Sequence, residues 1–152
     1  SETTWTSGGC GVSSYVTKPS YQSDLSGTNF RNCCDISLDA NPATGVYVYY
    51  SGSYYAVGGT SASCPMMAGI LAIANQKRRA IYKSFLTTVD GADNNVLAYL
   101  YNNVLNKPIY SSIFNDILTG SNGNFTAKVG YDNPTGIGTP KANSLVASLL
   151  NI

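Results

Sequence analysis

The 152-residue sequence contains no histidine. A Ser-His-Asp triad therefore cannot be assembled from this chain alone, because the imidazole that would take the hydroxyl proton is missing. Charge is scarce too: only 11% of residues are Asp, Glu, Lys or Arg, against an average of roughly 25%. Glutamate occurs once, at Glu2. With a net charge of +1, the composition points to neither nucleic acid nor an anionic membrane as partner. The one basic cluster, Lys77-Arg78-Arg79, follows an apolar helical run, where cations complement the negative end of the helix dipole. No apolar run is long enough to span a bilayer, and Ser1-Glu2-Thr3-Thr4-Trp5 lacks secretory character. Position 1 is not methionine, which reads as a processed product or an excised piece. The four cysteines, Cys10, Cys33, Cys34 and Cys64, are not spaced as zinc ligands. Adjacent Cys33 and Cys34 rarely bridge each other because the ring is strained, and the sequence leaves the pairing open. Few charges and an Asn124-Phe125-Thr126 glycosylation tripeptide fit an extracytoplasmic location.

What the sequence does hold is 43% hydrophobic residues, 15 Gly and 12 Tyr, enough for one globular domain with a sizeable core. Residues 1–31 are turn-rich without sustained periodicity. A short strand is read at 35–38, ending in an Asn41-Pro42 turn. Two aromatic and β-branched runs, 46–50 and 54–57, are joined by Ser51-Gly52-Ser53, a hairpin signal. The small-residue apolar run 66–74 reads as a buried helix. A second helix has Val96, Leu97, Leu100, Tyr101, Val104 and Leu105 on one face, capped by Asp93 or Asn94 and closed by Lys107-Pro108. Residues 109–139 are loop-dominated, and a last helix starts at Thr139-Pro140 and buries Ala142, Leu145, Val146, Leu149 and Leu150.

The chemistry is concentrated in Gly58-Gly59-Thr60-Ser61-Ala62-Ser63-Cys64-Pro65. Here serines lie on a glycine-rich turn between the second hairpin strand and the 66–74 helix. Pro65 suits a first helical turn, and Ser61 or Ser63 can cap it. The free N–H groups and partial positive charge of that helix end favour a developing oxyanion, which is what a serine nucleophile needs. The same residues are equally compatible with a glycine turn followed by an N-cap. Asp35 and Asp39 are read as structural: Asn41-Pro42 breaks any helix there, and strand positions four apart lie about 13 Å from each other.

Several separated stretches resemble one family, the sedolisins, which are serine-carboxyl peptidases that include tripeptidyl-peptidases. Gly59-Thr60-Ser61-Ala62-Ser63-Cys64-Pro65 is similar to the G-T-S-x-x-x-P nucleophile motif that they share with subtilisins. Ser7-Gly8-Gly9-Cys10-Gly11-Val12-Ser13 with Pro19-Ser20-Tyr21-Gln22 is similar to their S-G-G-G-x-S followed by P-x-Y-Q. Phe114-Asn115-Asp116-Ile117, the run from Gly130-Tyr131-Asp132 through Gly136-Ile137-Gly138-Thr139-Pro140, Asp35-Ile36 and Asn75-Gln76 also resemble it, in order along the chain.

The resemblance implies an α/β fold: the C-terminal part of a subtilisin-like parallel sheet flanked by helices, with a calcium-binding loop. Residues 1–152 would be the C-terminal segment of a single catalytic domain. It implies Ser61 as nucleophile in an acid peptidase, endopeptidase or tripeptidyl-peptidase, cleaving peptides or proteins. A glutamate helped by an aspartate would be the base and a protonated aspartate would complete the oxyanion hole. Such a base still works in acid, where histidine would be protonated. The family's E-x-x-x-D helix and S-x-G-D-x-G loop are absent, so these carboxylates are expected on an N-terminal chain of the same precursor, linked through Cys10, Cys33, Cys34 or Cys64. The location implied is a lysosome-like acidic compartment or outside the cell. One structural Ca2+ is implied at the side chains of Asp116 and Asp132 and the carbonyls of Ile117, Lys128 and Gly130; Lys128-Val129-Gly130 stands where the family usually has G-x-G. The rivals are a subtilisin-type peptidase with its histidine on the missing segment, and a non-catalytic calcium-stabilised module. The first is separated by activity below about pH 6, the second by labelling with an acyl-directed inhibitor.

Overall fold

Local pairing dominates the strands of this chain. A computed structural model describes residues 1–152. Strand β1 (Gly11–Thr17) pairs antiparallel with β2 (Phe30–Cys33) in the register Gly11↔Cys33 and Val12↔Asn32, with an irregularity before Thr17↔Phe30. Strands β3 (Val46–Tyr50) and β4 (Ser53–Val57) form a regular hairpin, Val46↔Val57 through Tyr50↔Ser53. Its turn residues Ser51 and Gly52 have φ of 48° and 84°, the two positive values that match a tight turn to strand twist. The short strands β5 (Phe114–Asn115) and β6 (Thr139–Pro140) make a third antiparallel pair.

The expected parallel sheet is therefore corrected: the chain has three separate two-stranded antiparallel sheets. A parallel ladder needs a second strand brought alongside by a crossover. Residues 35–38, read as a strand, form none and are instead tied to the 137–138 loop, through Ile137 N–H to the Asp35 carbonyl at 2.8 Å and Ser37 N–H to the Gly138 carbonyl at 3.0 Å.

The long helix α1 spans Thr60–Ala80, starting earlier than the 66–74 run predicts. Pro65 lies inside it, where it removes one backbone donor without stopping the helix. The expectation that this helix is buried is also corrected. Only Ala62, Ala74 and Arg78 are buried, and Ile73 is half exposed. Its outward side carries the small residues Ala68, Gly69 and Ala72, all exposed, which cover little area.

The second helix begins with α2 (Val96–Tyr99) and continues as a π-helical turn, Leu100–Val104, closed by the Leu105 N–H on the Leu100 carbonyl at 2.8 Å. Its cap is Asn95, one residue after the expected pair, whose Oδ1 accepts from Leu97 N–H at 2.9 Å and Ala98 N–H at 3.1 Å. Helix α3 is one turn, Tyr110–Ile113, and α4 spans Ala142–Ser148 with a 3-10 extension, Leu149–Asn151. These elements hold the core: Val96, Leu100, Val104, Ile113, Phe114, Ile137, Leu145 and Leu149, joined by Ala74 of α1 and Tyr21. Arg78 enters that core at 1% exposure and keeps its guanidinium donors paired with the carbonyls of Ser84 at 2.8 Å and Leu149 at 2.7 Å. Such pairing is the condition for burying a cation.

Candidate active site

Residues Gly58 and Gly59 turn the chain from β4 into α1. Gly58 backs onto Pro42, whose nitrogen lies 2.5 Å from where a Cβ would stand. Gly59 has φ 84° and is the N-cap residue, without a capping side chain. The Gly59 carbonyl accepts the N–H of Ala62 at 2.9 Å, whereas the N–H groups of Thr60 and Ser61 have no acceptor in the chain. A 21-residue helix thus presents two free donors and its positive end beside the Ser61 hydroxyl.

Ser61 is exposed and its hydroxyl makes no hydrogen bond. Ser63 does the opposite, donating to the carbonyls of Asp39 at 3.0 Å and Leu38 at 3.3 Å. Two serines two residues apart are thereby separated: Ser63 ties the helix to the 38–39 backbone, and Ser61 is left open. The cap expected from Ser61 or Ser63 is supplied by neither.

None of the chain's eight carboxylates is hydrogen-bonded to Ser61. Asp35 accepts from Arg31 at 2.5 Å, Tyr101 OH at 2.9 Å and more weakly from Gln22 at 3.5 Å. Asp39 caps its turn, taking the Asn41 N–H at 3.1 Å and the Thr44 hydroxyl at 2.9 Å. Asp90 accepts from Ser20, and Glu2 from Thr139. Asp35 and Asp39 thus act structurally, as their spacing predicts.

Asp116 and Asp132 converge on one stretch of loop. Asp116 Oδ2 accepts the Gly130 N–H at 2.9 Å, and Asp132 Oδ2 accepts the Lys128 N–H at 3.0 Å. Asp132 is 3% exposed and its Oδ1 takes the N–H and hydroxyl of Thr135, each at 2.8 Å. The carbonyls of Ile117, Lys128 and Gly130 accept no hydrogen bond from the protein. Asn133 Oδ1, beside them in sequence, is buried without a partner. The backbone therefore brings together the five residues singled out from the sequence, although no three Cys, Asp or Glu side chains cluster as a metal site. Sequence reasoning gave Thr135 and Asn133 no role of their own, although both lie within the matched run from Gly130 to Pro140.

No protein-family model matches this chain. Among curated proteins, sedolisin of Pseudomonas sp. (strain 101) is 33% identical over 144 residues, covering 89% of this chain and 21% of that protein. Xanthomonalisin of Xanthomonas sp. (strain T-22) is 31% identical over 140 residues, covering 89% of this chain and 15% of that protein. Among solved structures, Pseudomonas sedolisin (serine-carboxyl proteinase) complexed with two molecules of pseudo-iodotyrostatin superposes with a TM-score of 0.76 at 30% identity, over 99% of this chain and 41% of that one. The chain thus spans about a fifth of the length of the curated relatives it matches.

A superposition that includes nearly every residue at 30% identity defines the fold as the subtilisin-like α/β type of the serine-carboxyl peptidases. The chain belongs to the sedolisin family.

Proposed function

We propose that residues 1–152 are the C-terminal segment of a sedolisin-type catalytic domain and carry the nucleophile, Ser61, of an acid peptidase. The observation that supports this most directly is the open Ser61 hydroxyl at the N-terminus of α1, with the N–H groups of Thr60 and Ser61 unpaired beside it. Ser61 Oγ attacks the scissile carbonyl of a peptide or protein, and its proton passes to a carboxylate base. The Ser61 N–H donates to the oxyanion as the carbonyl oxygen gains charge. The base returns that proton to the leaving nitrogen, and collapse expels the amine and leaves an acyl group on Ser61, which water then hydrolyses. The base, a glutamate with an aspartate partner, and the protonated oxyanion aspartate belong to another segment of the same precursor. The absence of histidine here and the lack of any hydrogen bond between Ser61 and a carboxylate of this chain support that assignment.

The oxygen set at the 116–132 loop fits calcium. Calcium takes about six to eight hard oxygen ligands, and the loop offers two carboxylates with the unpartnered carbonyls of Ile117, Lys128 and Gly130. Asp116, Ile117, Lys128, Gly130 and Asp132 would hold the ion, which would supply stability by tying the loop to the core. The enzyme would work in an acidic extracytoplasmic compartment or outside the cell.

The test is the pH profile of the complete protein on a peptide substrate, with inhibitor labelling mapped to a residue. Hydrolysis that persists well below pH 5 with an acyl-directed inhibitor on Ser61 supports the proposal. Loss of activity below about pH 6 would indicate a histidine base, and no labelling of Ser61 at any pH would refute the nucleophile.

A further inference from the structure

The fold brings two of the four cysteines together and sends the other two apart. In the β1–β2 ladder Gly11 pairs with Cys33 and Val12 with Asn32. One step outward the same antiparallel register sets Cys10 opposite Cys34, near enough that each thiol perturbs the other; the Cys34 thiol also donates to the Ile36 carbonyl at 3.2 Å. Both side chains are half-buried, whereas Cys33 and Cys64 are exposed. The Cys33 sulfur accepts from Arg31 at 3.2 Å. Cys64 sits on the exposed side of α1.

We propose that Cys10 and Cys34, thiols in this structure, form a cross-strand disulfide. The inference rests on this juxtaposition and is independent of the peptidase reading. A low-molecular-weight disulfide such as oxidised glutathione is the oxidant. One protein thiolate attacks it, forming a mixed disulfide and releasing one glutathione thiol. The facing thiolate then attacks the protein sulfur of that mixed disulfide, closes the bridge and releases the second glutathione thiol. Two protein S–H bonds are lost, one S–S bond is formed, and the glutathione disulfide is reduced by two electrons. Facing thiols favour this second step over attack by solution thiols, because closure is intramolecular.

The bridge clamps more than two strands. The Cys34 carbonyl accepts the Tyr131 hydroxyl at 3.0 Å, and the Asp35 carbonyl accepts the Ile137 N–H at 2.8 Å. Closing the 10–34 ring therefore anchors β1 to the backbone that flanks Asp132. A covalent link to another chain is then left to Cys33 or Cys64.

The test uses the native protein containing this chain, incubated with oxidised glutathione, blocked with maleimide, and digested unreduced with trypsin and Asp-N. Cleavage after Arg31 and before Asp35 isolates Asn32-Cys33-Cys34 from Cys64. The expected product joins the Cys10 peptide to this tripeptide; it persists in Cys33→Ser and disappears in Cys34→Ser. The oxidised protein should also melt about 5–10 °C above the reduced one, as a ring of this size predicts. Maleimide or glutathione on both Cys10 and Cys34, or Cys10 bridged to Cys33 or Cys64, overturns the assignment. Identical melting of oxidised and reduced protein overturns the clamp.

Discussion

Replacing Gly136 by alanine tests the closest backbone approach behind the 116–132 loop. Gly136 has φ 61° and exchanges two backbone hydrogen bonds with Asp132, at 2.8 and 3.2 Å. An added Cβ would lie 2.8 Å from the Cys34 carbonyl oxygen and closer still to the Asp35 carbonyl group. These are main-chain atoms, so no side chain can rotate away. The left-handed conformation costs alanine about 1–2 kcal/mol, and forcing the two segments apart adds about 1–3 kcal/mol. The separation also stretches the Ile137 N–H bond to Asp35. Gly123 supplies the control: its φ is 92° and nothing lies within 4 Å of the Cβ position. Gly123→Ala should therefore cost only the conformational part. The assay is the urea midpoint of each variant in the intact protein, with the m-value checked for constancy. Gly136→Ala should be the less stable by about 1–3 kcal/mol. Equal midpoints would refute the claim that the Asp35 backbone sits hard against this turn.

Other outcomes follow from the same geometry. Ser61→Ala should reduce peptide hydrolysis by at least about 10³-fold, while stability stays within about 0.5 kcal/mol because its hydroxyl is exposed and unbonded; a comparable loss of folded protein would contradict this. Chelator at neutral pH should lower the melting temperature, and substitution of Asp116 by asparagine should remove most of that sensitivity; an unchanged melt refutes the calcium site. Burial pushes the pKa of Tyr101, Tyr131 and Tyr110 above the ordinary tyrosine range, helped by the charge of Asp35 for the first two and of Asp116 for the third. A raised folded value means that this stability is complete below about pH 10, the unfolded value, and is lost as pH climbs further. Tyrosinate absorbance should then rise in two steps, exposed rings first and these three only with unfolding, and a single step would be inconsistent with their burial.

Much of the local structure was legible because the residues that specify it are neighbours. The β3–β4 hairpin follows from alternating Val and Tyr around Ser51-Gly52, and the face Val96, Leu100, Val104 follows from helical spacing. The start of α1 was misread because Pro65 is a good helix starter and an equally tolerable early interior residue; the N-cap role falls to Gly59, whose signature is only its freedom at positive φ. The Asn95 cap was missed by one residue, since Asp93, Asn94 and Asn95 are chemically equivalent candidates. Exposure of the 66–74 run was illegible because burial depends on what lies opposite, which its own residues do not encode. At the candidate site, Ser61 and the pair Asp116 and Asp132 stood out through motif resemblance. The contrast between an open Ser61 and an engaged Ser63, and the facing of Cys10 and Cys34, depend on contacts between distant segments.

The uneven distribution of the core has a consequence for how this molecule tolerates change. Most of the cohesive packing lies between Val96 and Leu149, while the turn bearing Ser61 rests on glycines and a few small residues. Reactivity and robustness are therefore written in different stretches of the chain. With Ser61 as the proposed nucleophile, substitutions near it can retune one while the other, secured from 35 residues downstream, is left almost untouched.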